Sequence, residues 1–311
     1  MSPLSIPFSL AALRTASAGL RPPVAVALGA EGIAAGVAAP LQLATASLPQ
    51  GALVPGLGES NLRSAAEIAS ALRGALGRLE PRGRAATLVV PDATVRVFLL
   101  DFDTLPARRD EILPILRFRL RKSVAFDVEN AGISYQILSE GSTRLETPWK
   151  VLVALMPGPV REEYEALMRS VGLEPGVLLP QCLAALSPLE SQQAELILCH
   201  SPASLTLTIV SGSDILLYRT SELPEGDAAA EEIQRSVAVA CAFFEDTLRS
   251  APGRILYSGA LPLAAFARIV EEIFPVVEPL QSLTSIPAAT GMADHLQGLA
   301  TAAAGALAGA G

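Results

Sequence analysis

The chain has 311 residues, of which 50% are apolar, so it is long enough to bury a large core and to form two domains. Its net charge of −8 argues against a general nucleic-acid-binding protein, because neutralising phosphates takes a surplus of Lys and Arg. Three widely separated cysteines and two histidines provide neither a disulfide framework nor the ligand spacing of a metal site.

Neither end of the sequence predicts membrane insertion. The apolar run 7–13 is too short for a signal peptide and has no positive charge before it. The alanine-rich segment 296–310 is interrupted by glycines and falls short of the ~20 residues that a membrane span needs. We therefore expect a cytoplasmic protein without a span of its own.

The first part of the chain predicts a hairpin and a helix. An irregular arm over residues 1–22 precedes two strands, 24–28 and 33–39, which are joined by a turn. A loop rich in Pro and Gly covers residues 49–58. Apolar residues at helical spacing then predict a helix over residues 61–79.

The stretch 88–138 predicts two strands, a helix and a further strand. One apolar run ends at Pro91-Asp92, and the next, 95–100, ends at Asp101-Phe102-Asp103. Helical spacing follows and stops near Asp127. The residues that set this spacing are Ile112, Leu116, Phe118 and Leu120.

The remaining elements continue the alternation of strands and helices. Those before the middle of the chain are strands 130–138 and 148–156, a helix 160–171 that ends at Gly172, and a strand with a short helix within 176–189. Those after it are strands 195–199, 204–211, 215–220 and 254–257, helices 227–249 and 263–273, and an alanine-rich helix at the end. Each half begins with a hairpin and then adds strand–helix units, which favours two related halves.

Several short motifs resemble those of the actin-like type IV pilus assembly protein PilM family, in the family's order. They are Val90-Pro91-Asp92 for its PD turn, Leu105-Pro106 for its LP, Ala125-Phe126 for its PF, and Tyr135-Gln136-Ile137-Leu138 for its YQ(I/V)L strand. Gly172-Leu173-Glu174-Pro175 is similar to its aGLkP step, and Glu232-Ile233-Gln234-Arg235-Ser236 to its EIQRS helix. The resemblance extends over nearly the whole chain from Val24 onward.

The resemblance implies an α/β, actin-like (ribonuclease-H-like) fold of two halves around a cleft. A small α+β subdomain would be inserted in the first half. The capping subdomain of the second half would be reduced to the short connection between Arg219 and Ile233. The implied boundaries are an arm 1–22, a first core half 23–95 plus 174–190, an inserted subdomain 96–173, and a second core half 193–311.

In actin-like ATPases, two hairpin turns hold the phosphates and a glycine turn holds the adenosine. The resemblance maps these positions onto Gly29, Gly32, Ser201, Ser204, Ser258 and Gly259. Ala27 and Cys199 replace the acidic residues that organise Mg²⁺, Glu31 replaces a hydroxyl residue, and Pro202 removes a backbone donor. We expect a pseudo-ATPase with no catalytic residue, metal or cofactor, and bound Mg-ATP as the alternative.

The resemblance also implies a function as a cytoplasmic scaffold, recruited peripherally to the inner membrane by the assembly platform of a type IV pilus or related secretion system. In this family a groove between the first core half and the inserted subdomain receives the N-terminal peptide of a PilN-like single-span membrane protein. The residues expected near that groove are Arg96, Phe98, Leu116, Leu120 and Tyr135. Other platform proteins are implied as partners, nucleic acid is not, and homo-oligomerisation stays open.

Two other functions fit the sequence less well: an actin-like ATPase that switches or polymerises with nucleotide, and a type II secretion L-type cytoplasmic component. No hydrolase, P-loop or dinucleotide motif occurs. The basic residues between Arg108 and Lys122 indicate a solvated helix face paired with nearby acids, with an approach to anionic lipid or an acidic partner as the alternative.

Overall fold

The computed structural model describes residues 21–58, 60–139, 148–189, 191, 193–212, 214–226, 228–280 and 292–308. Most of the predicted arm over residues 1–22 therefore lies outside the described residues. The strands are β1 (Val24–Leu28), β2 (Gly32–Val37), β3 (Gln42–Ser47), β4 (Ala85–Val90), β5 (Arg96–Phe102), β6 (Gly132–Ser139), β7 (Trp149–Met156), β8 (Glu174–Pro180), β9 (Ala194–Ser201), β10 (Ser204–Ser211), β11 (Asp214–Glu222), β12 (Ile255–Gly259) and β13 (Val277–Pro279). The helices are α1 (Ala65–Leu79), α2 (Arg109–Leu120), α3 (Gly158–Ser170), α4 (Gln181–Leu186), α5 (Ala228–Leu248), α6 (Leu263–Val270) and α7 (Gln297–Leu307).

Two five-stranded sheets repeat one topology. The first sheet has the order β3-β2-β1-β4-β8 and the second the order β11-β10-β9-β12-β13. In each sheet the first three strands of the half are antiparallel neighbours, and the last two lie parallel to the first. The repeated plan that the hairpins of the sequence predicted is thus present in the pairing of the strands.

A third, antiparallel sheet, β5-β7-β6, is formed by residues that lie between β4 and β8 in the sequence. Its central strand β7 is buried on both faces. Val151, Val153 and Leu155 point into a small core that this sheet shares with α2, whereas the alternating residues Leu152 and Met156 join the core of the first half. Burial on both faces explains why this strand is a continuous apolar run in the sequence.

The predicted elements are largely confirmed, with two strands missed and three helices predicted too long. The helix predicted to stop near Asp127 ends at Leu120, and the one predicted over 263–273 ends at Val270. The missed strands β3 and β13 lie at sheet edges. β13 has only three residues and β3 consists mostly of small and polar residues, so neither has an apolar pattern. The predicted helix 61–79 begins only at Ala65. The backbone N–H groups of Asn61 and Leu62 donate to the Glu163 carboxylate at 2.8 and 3.0 Å, which holds those residues in a loop.

Helix α7 lies between the two large sheets. It packs on β1, β2 and α4 of the first half and on β12 and β9 of the second. Leu299, Ala302, Ala303 and Ala306 are fully buried in one core cluster that contains residues of both halves. Small side chains let the helix approach its neighbours closely, and a Cβ on Gly305 would collide with the carbonyl oxygen of Ala184 in α4.

The end of α7 is fastened by a buried arginine. The Arg21 guanidinium donates to the Ala308 carbonyl oxygen at 2.9 Å and to the Ser187 hydroxyl at 3.1 Å, so it satisfies a terminal helix carbonyl and ties it to the end of α4.

None of the helices in the described part of the chain combines the length and the apolar character that a membrane span requires.

We expect Gly305→Ala to lower the free energy of unfolding by about 1–3 kcal/mol, because the added methyl group forces α7 away from α4. The matched control is Gly74→Ala in the exposed part of α1, where a Cβ meets nothing within 4 Å. That change should raise the free energy of unfolding by about 0.5–1 kcal/mol. Urea denaturation measures both, and shifts of the same sign would contradict the close crossing of α4 and α7.

Candidate functional site

The first predicted phosphate turn joins β1 to β2. The Gly29 N–H donates to the Gly32 carbonyl oxygen at 2.9 Å, and the Gly32 N–H donates to the Gly29 carbonyl oxygen at 3.3 Å. A Cβ on Gly29 would lie 2.9 Å from Leu299, and one on Gly32 would lie 2.5 Å from Leu296. The N–H groups of both glycines are therefore occupied by hydrogen bonds within the turn, and both glycines contact the C-terminal segment.

A carboxyl group occupies the same turn. Part of Glu31 is exposed, but both carboxyl oxygens are buried without a hydrogen-bond partner among the described residues. A Cβ on Gly29 would lie 2.7 Å from Glu31 Oε2, so the carboxyl group lies directly beside the turn. Burial raises the pKa of Glu31 from 4.5 to about 7. The nearby backbone N–H of Glu31 itself lowers the pKa and so offsets part of this rise. With this pKa the carboxyl group is only partly ionised at neutral pH, and its ionised form would repel a phosphate bound at this turn.

The second predicted phosphate turn joins β9 to β10. Ser201 and Ser204 face each other in the ladder, and their hydroxyl groups are 2.8 Å apart. Pro202, between them, has no N–H to donate. On β9 just before the turn, contact with the Cys182 thiol and burial raise the pKa of Cys199. An uncharged thiol therefore occupies the position at which the resemblance implies an acidic residue that organises Mg²⁺.

The predicted adenosine turn lies at the end of β12. Ser258 and Gly259 pair with Cys199 and His200 on β9. A Cβ on Gly259 would lie 2.7 Å from the His200 Cβ, and the Gly298 Cβ position in α7 lies 2.9 Å from the Gly259 Cα. Burial lowers the pKa of His200 to about 4, so this ring is neutral at physiological pH. The structure thus brings the first turn and Gly259 against the same helix, α7.

A buried aspartate between the halves was named in the sequence only as part of a turn. Asp92 follows β4 and accepts hydrogen bonds from the Cys182 backbone N–H at 3.2 Å and from the Tyr218 hydroxyl at 2.9 Å. Burial raises the pKa of Asp92 to about 6, and these hydrogen bonds partly offset the rise. Tyr218 lies on β11, so Asp92 joins the first half to the second. An acidic residue two positions after a buried strand is the signal that could have identified it.

A groove lies between the third sheet and the first half. It has a volume of about 180 Å³. Its walls come from α2, from the facing ends of β6 and β7, from α3 and from the end of β8. The residues that line it are Val95, Leu113, Arg117, Ala131, Gly132, Ile133, Ala154, Leu155, Met156, Arg161, Leu178 and Pro180.

Two arginines provide the charge of this otherwise apolar groove. The Arg117 guanidinium donates to the carbonyl oxygens of Val128, Glu129 and Ala131, which fixes the loop before β6 against α2. Arg161 Nε is buried and has no hydrogen-bond partner within the described residues, although it lies 3.6 Å from Glu165 Oε1. Arg161 therefore lines the groove while its Nε is paired with the Glu165 carboxylate.

The residues predicted for partner binding are not the residues that line the groove. Leu116 and Leu120 are buried in the core of the third sheet, on the opposite stripe of α2 from solvent. Phe98 and Tyr135 are half-buried and pack on that same core, and Arg96 pairs with Glu222 of β11 at 3.4 Å. Sequence periodicity marks which positions of α2 are apolar, but it does not separate core positions from Leu113 at the groove.

No protein-family model matches the chain, and no match is found among curated proteins. The structure is similar to the solved PilM–PilN type IV pilus biogenesis complex, with a TM-score of 0.70 and 19% identity, over 93% of this chain and 98% of that chain. It is also similar to the cytoplasmic domain of EpsL, an inner-membrane component of the type II secretion system of Vibrio cholerae, with a TM-score of 0.53 and 13% identity, over 88% of this chain and 97% of that chain. These similarities and the two repeated sheets confirm the predicted actin-like α/β fold.

We expect Glu31→Gln to change how stability depends on pH. The folded state holds the Glu31 proton up to about pH 7, whereas the unfolded state releases it near 4.5, so ionisation costs stability increasingly between these values. The variant should match the wild type near pH 4.5 and exceed its free energy of unfolding by about 3 kcal/mol above pH 7. Urea denaturation across this pH range measures the difference in the free energy of unfolding. The contributions of Asp92 and His200 to the pH dependence are the same in both proteins and cancel in this difference. A difference that does not change with pH would show that Glu31 is not buried as described.

Proposed function

We propose that this protein is a cytoplasmic scaffold of the inner-membrane assembly platform of a type IV pilus or a related secretion system. In this proposal it binds the N-terminal cytoplasmic peptide of a PilN-like single-span membrane protein, which recruits it peripherally to the membrane. The observation that carries the proposal is the apolar groove between the third sheet and the first half. The similarity to a solved PilM–PilN complex supports the choice of partner.

The size and lining of the groove fit the side chains of a peptide. Small-molecule pockets commonly measure ~300–1,000 Å³, and this groove, at about 180 Å³, is smaller. Leu113, Ile133 and Leu178 offer apolar contacts of the kind that anchor one or two peptide side chains. The Arg161 guanidinium, which lines the groove, would orient the peptide by donating to one of its carbonyl oxygens.

The proposed scaffold works without hydrolysing ATP. Ala27 and Cys199 stand at the positions where carboxylates would organise Mg²⁺, and both are buried. The ionised form of Glu31, which is partly populated at neutral pH, would oppose a phosphate through like charge. These changes support a pseudo-ATPase over an ATPase that switches or polymerises with nucleotide.

A type II secretion L-type component is the second candidate function. The similarity to the EpsL cytoplasmic domain favours it, at a lower TM-score than the similarity to the PilM–PilN complex. Binding of a PilN-like peptide in the groove separates the two candidates, because the first requires it.

We expect Leu113→Asp to weaken binding of a synthetic N-terminal peptide of the PilN-like protein by about tenfold or more, since a charge replaces an apolar contact in the groove. Ile115→Asp is the matched control, because Ile115 lies two residues further along α2, outside the groove, and is 38% exposed. Isothermal titration calorimetry gives both dissociation constants. Equal affinities of Leu113→Asp and wild type would show that the peptide binds to another surface.

We expect millimolar Mg-ATP or Mg-ADP to leave the thermal midpoint unchanged. A ligand at 100 times its dissociation constant would stabilise the native state by about 2.7 kcal/mol, which a thermal scan detects readily. The PilN-like peptide serves as the positive control and should raise the midpoint. A Mg-dependent rise with nucleotide would instead support the nucleotide-binding alternative.

A further inference from the structure

One face of α2 presents an aromatic ring to solvent. Phe118 is 77% exposed, and Ile115, one turn before it, is 38% exposed. The opposite face carries Ile112, Leu116 and Leu120, which are buried in the core of the third sheet. The helix is therefore fully anchored through one stripe while its outward stripe, with Ile115 and Phe118, adds apolar surface that the core does not use.

The surroundings of this ring are basic in a chain whose net charge is −8. Residues 114–123 contain four basic side chains and no acidic one: Arg117, Arg119, Arg121 and Lys122. The Arg119 guanidinium lies 4.6 Å from the centre of the Phe102 ring, and this contact leaves its charge in place. Arg121 is paired with Glu129 at 2.7 Å, whereas Lys122 is exposed at the end of the helix.

The acids at the start of α2 do not cancel this charge. Asp110 and Glu111 lie at the N-terminal end of the helix and pair with Arg108 at 2.6 and 3.7 Å. Ile115 and Phe118 follow toward the C-terminal end, where the basic residues collect. The exposed ring thus lies on the positive side of the helix.

We propose that this surface, formed by Ile115, Phe118, Arg119 and Lys122 and called the α2 face, docks on a membrane that contains anionic lipids. Lys122 and Arg119 would lie among the lipid headgroups, and the Phe118 ring would enter the boundary between headgroups and acyl chains. Attraction to an anionic surface multiplies the affinity about fivefold for each basic side chain near it.

A lipid surface fits the α2 face better than a protein partner does. Phe118 projects from a convex helix, whereas a stable protein interface buries ~800 Å² on each partner around a packed centre. A bilayer accepts a single protruding ring without a complementary pocket. The charge supplies the second contribution, because the headgroups are negative where the helix is positive.

The α2 face is adjacent to the proposed peptide groove but is distinct from it. Leu113 and Arg117 line the groove, whereas Ile115 and Phe118 do not. One helix thus offers one side to the groove and another to solvent. The inference does not require the peptide, and it adds a direct contact with the membrane to indirect recruitment through a partner.

The test is sedimentation of the full chain with vesicles of phosphatidylcholine alone and of phosphatidylcholine mixed with phosphatidylglycerol. We expect binding to the mixed vesicles only, with a loss of binding at high salt. Phe118→Ala should reduce the partition coefficient about tenfold, because the ring loses its apolar contact with the bilayer. Lys122→Ala should reduce it about fivefold. The matched control is Phe243→Ala on α5, where a 38% exposed ring lies near Glu245 and Asp246, and it should change nothing.

Three results would overturn the inference: no sedimentation with either vesicle, equal sedimentation with both, or binding that Phe118→Ala leaves unchanged. Phe118-dependent binding to polyglutamate in place of vesicles would assign the α2 face to an acidic protein partner. Thermal midpoints of the variants establish that they fold, which is expected because Phe118 is exposed. Peptide affinity is measured without vesicles, so failure of the α2 face and failure of the groove are separate outcomes.

Discussion

The burial of α7 between the two large sheets is the contact on which the arrangement of the halves depends. The helix can occupy this position because its buried residues are mostly alanine and glycine, which let backbones approach closely. Gly305 meets Ala184 of α4, and Gly298 meets Gly259 of β12. Because these contacts involve backbone atoms, neither side can yield by changing a rotamer. The Arg21 guanidinium then holds the end of the same helix to Ser187, so the start of the described chain closes the contact.

The position of α7 also determines what surrounds the cleft. Leu299 lies against Gly29, Leu296 against Gly32, and Gly298 against Gly259, so the first hairpin turn and the end of β12 share one neighbour. Both hairpin turns keep their strands and their pairing. What differs from a nucleotide site is chemical: a buried thiol at Cys199 and a carboxyl group at Glu31. The fold thus supports the proposed scaffold function at a place away from the cleft, in the groove that the third sheet forms with the first half.

Much of the fold follows from local sequence pattern. Apolar runs and turn residues predicted both hairpins, the elements of the third sheet and the long helix α5, because alternation and helical spacing depend on neighbours along the chain. β3 and β13 carried no such pattern and were missed, since both lie at a sheet edge and few of their side chains are apolar and buried. Residues 61–64 looked helical, but the Glu163 carboxylate, distant in sequence, holds part of this segment in a loop through backbone donors.

The sequence by itself determined the order of the elements other than β3 and β13, the acidic net charge, and the residues that replace acids and hydroxyls at the predicted turns, because these are properties of composition and spacing. Only the tertiary structure decided which apolar residues are available to a partner. In α2, Leu116 and Phe118 are two residues apart and equally apolar, yet one is buried and the other is 77% exposed. The pKa of Glu31 likewise depends on packing around its oxygens. Burial is set by elements that meet only when the chain folds, and no local pattern encodes which face each of them covers.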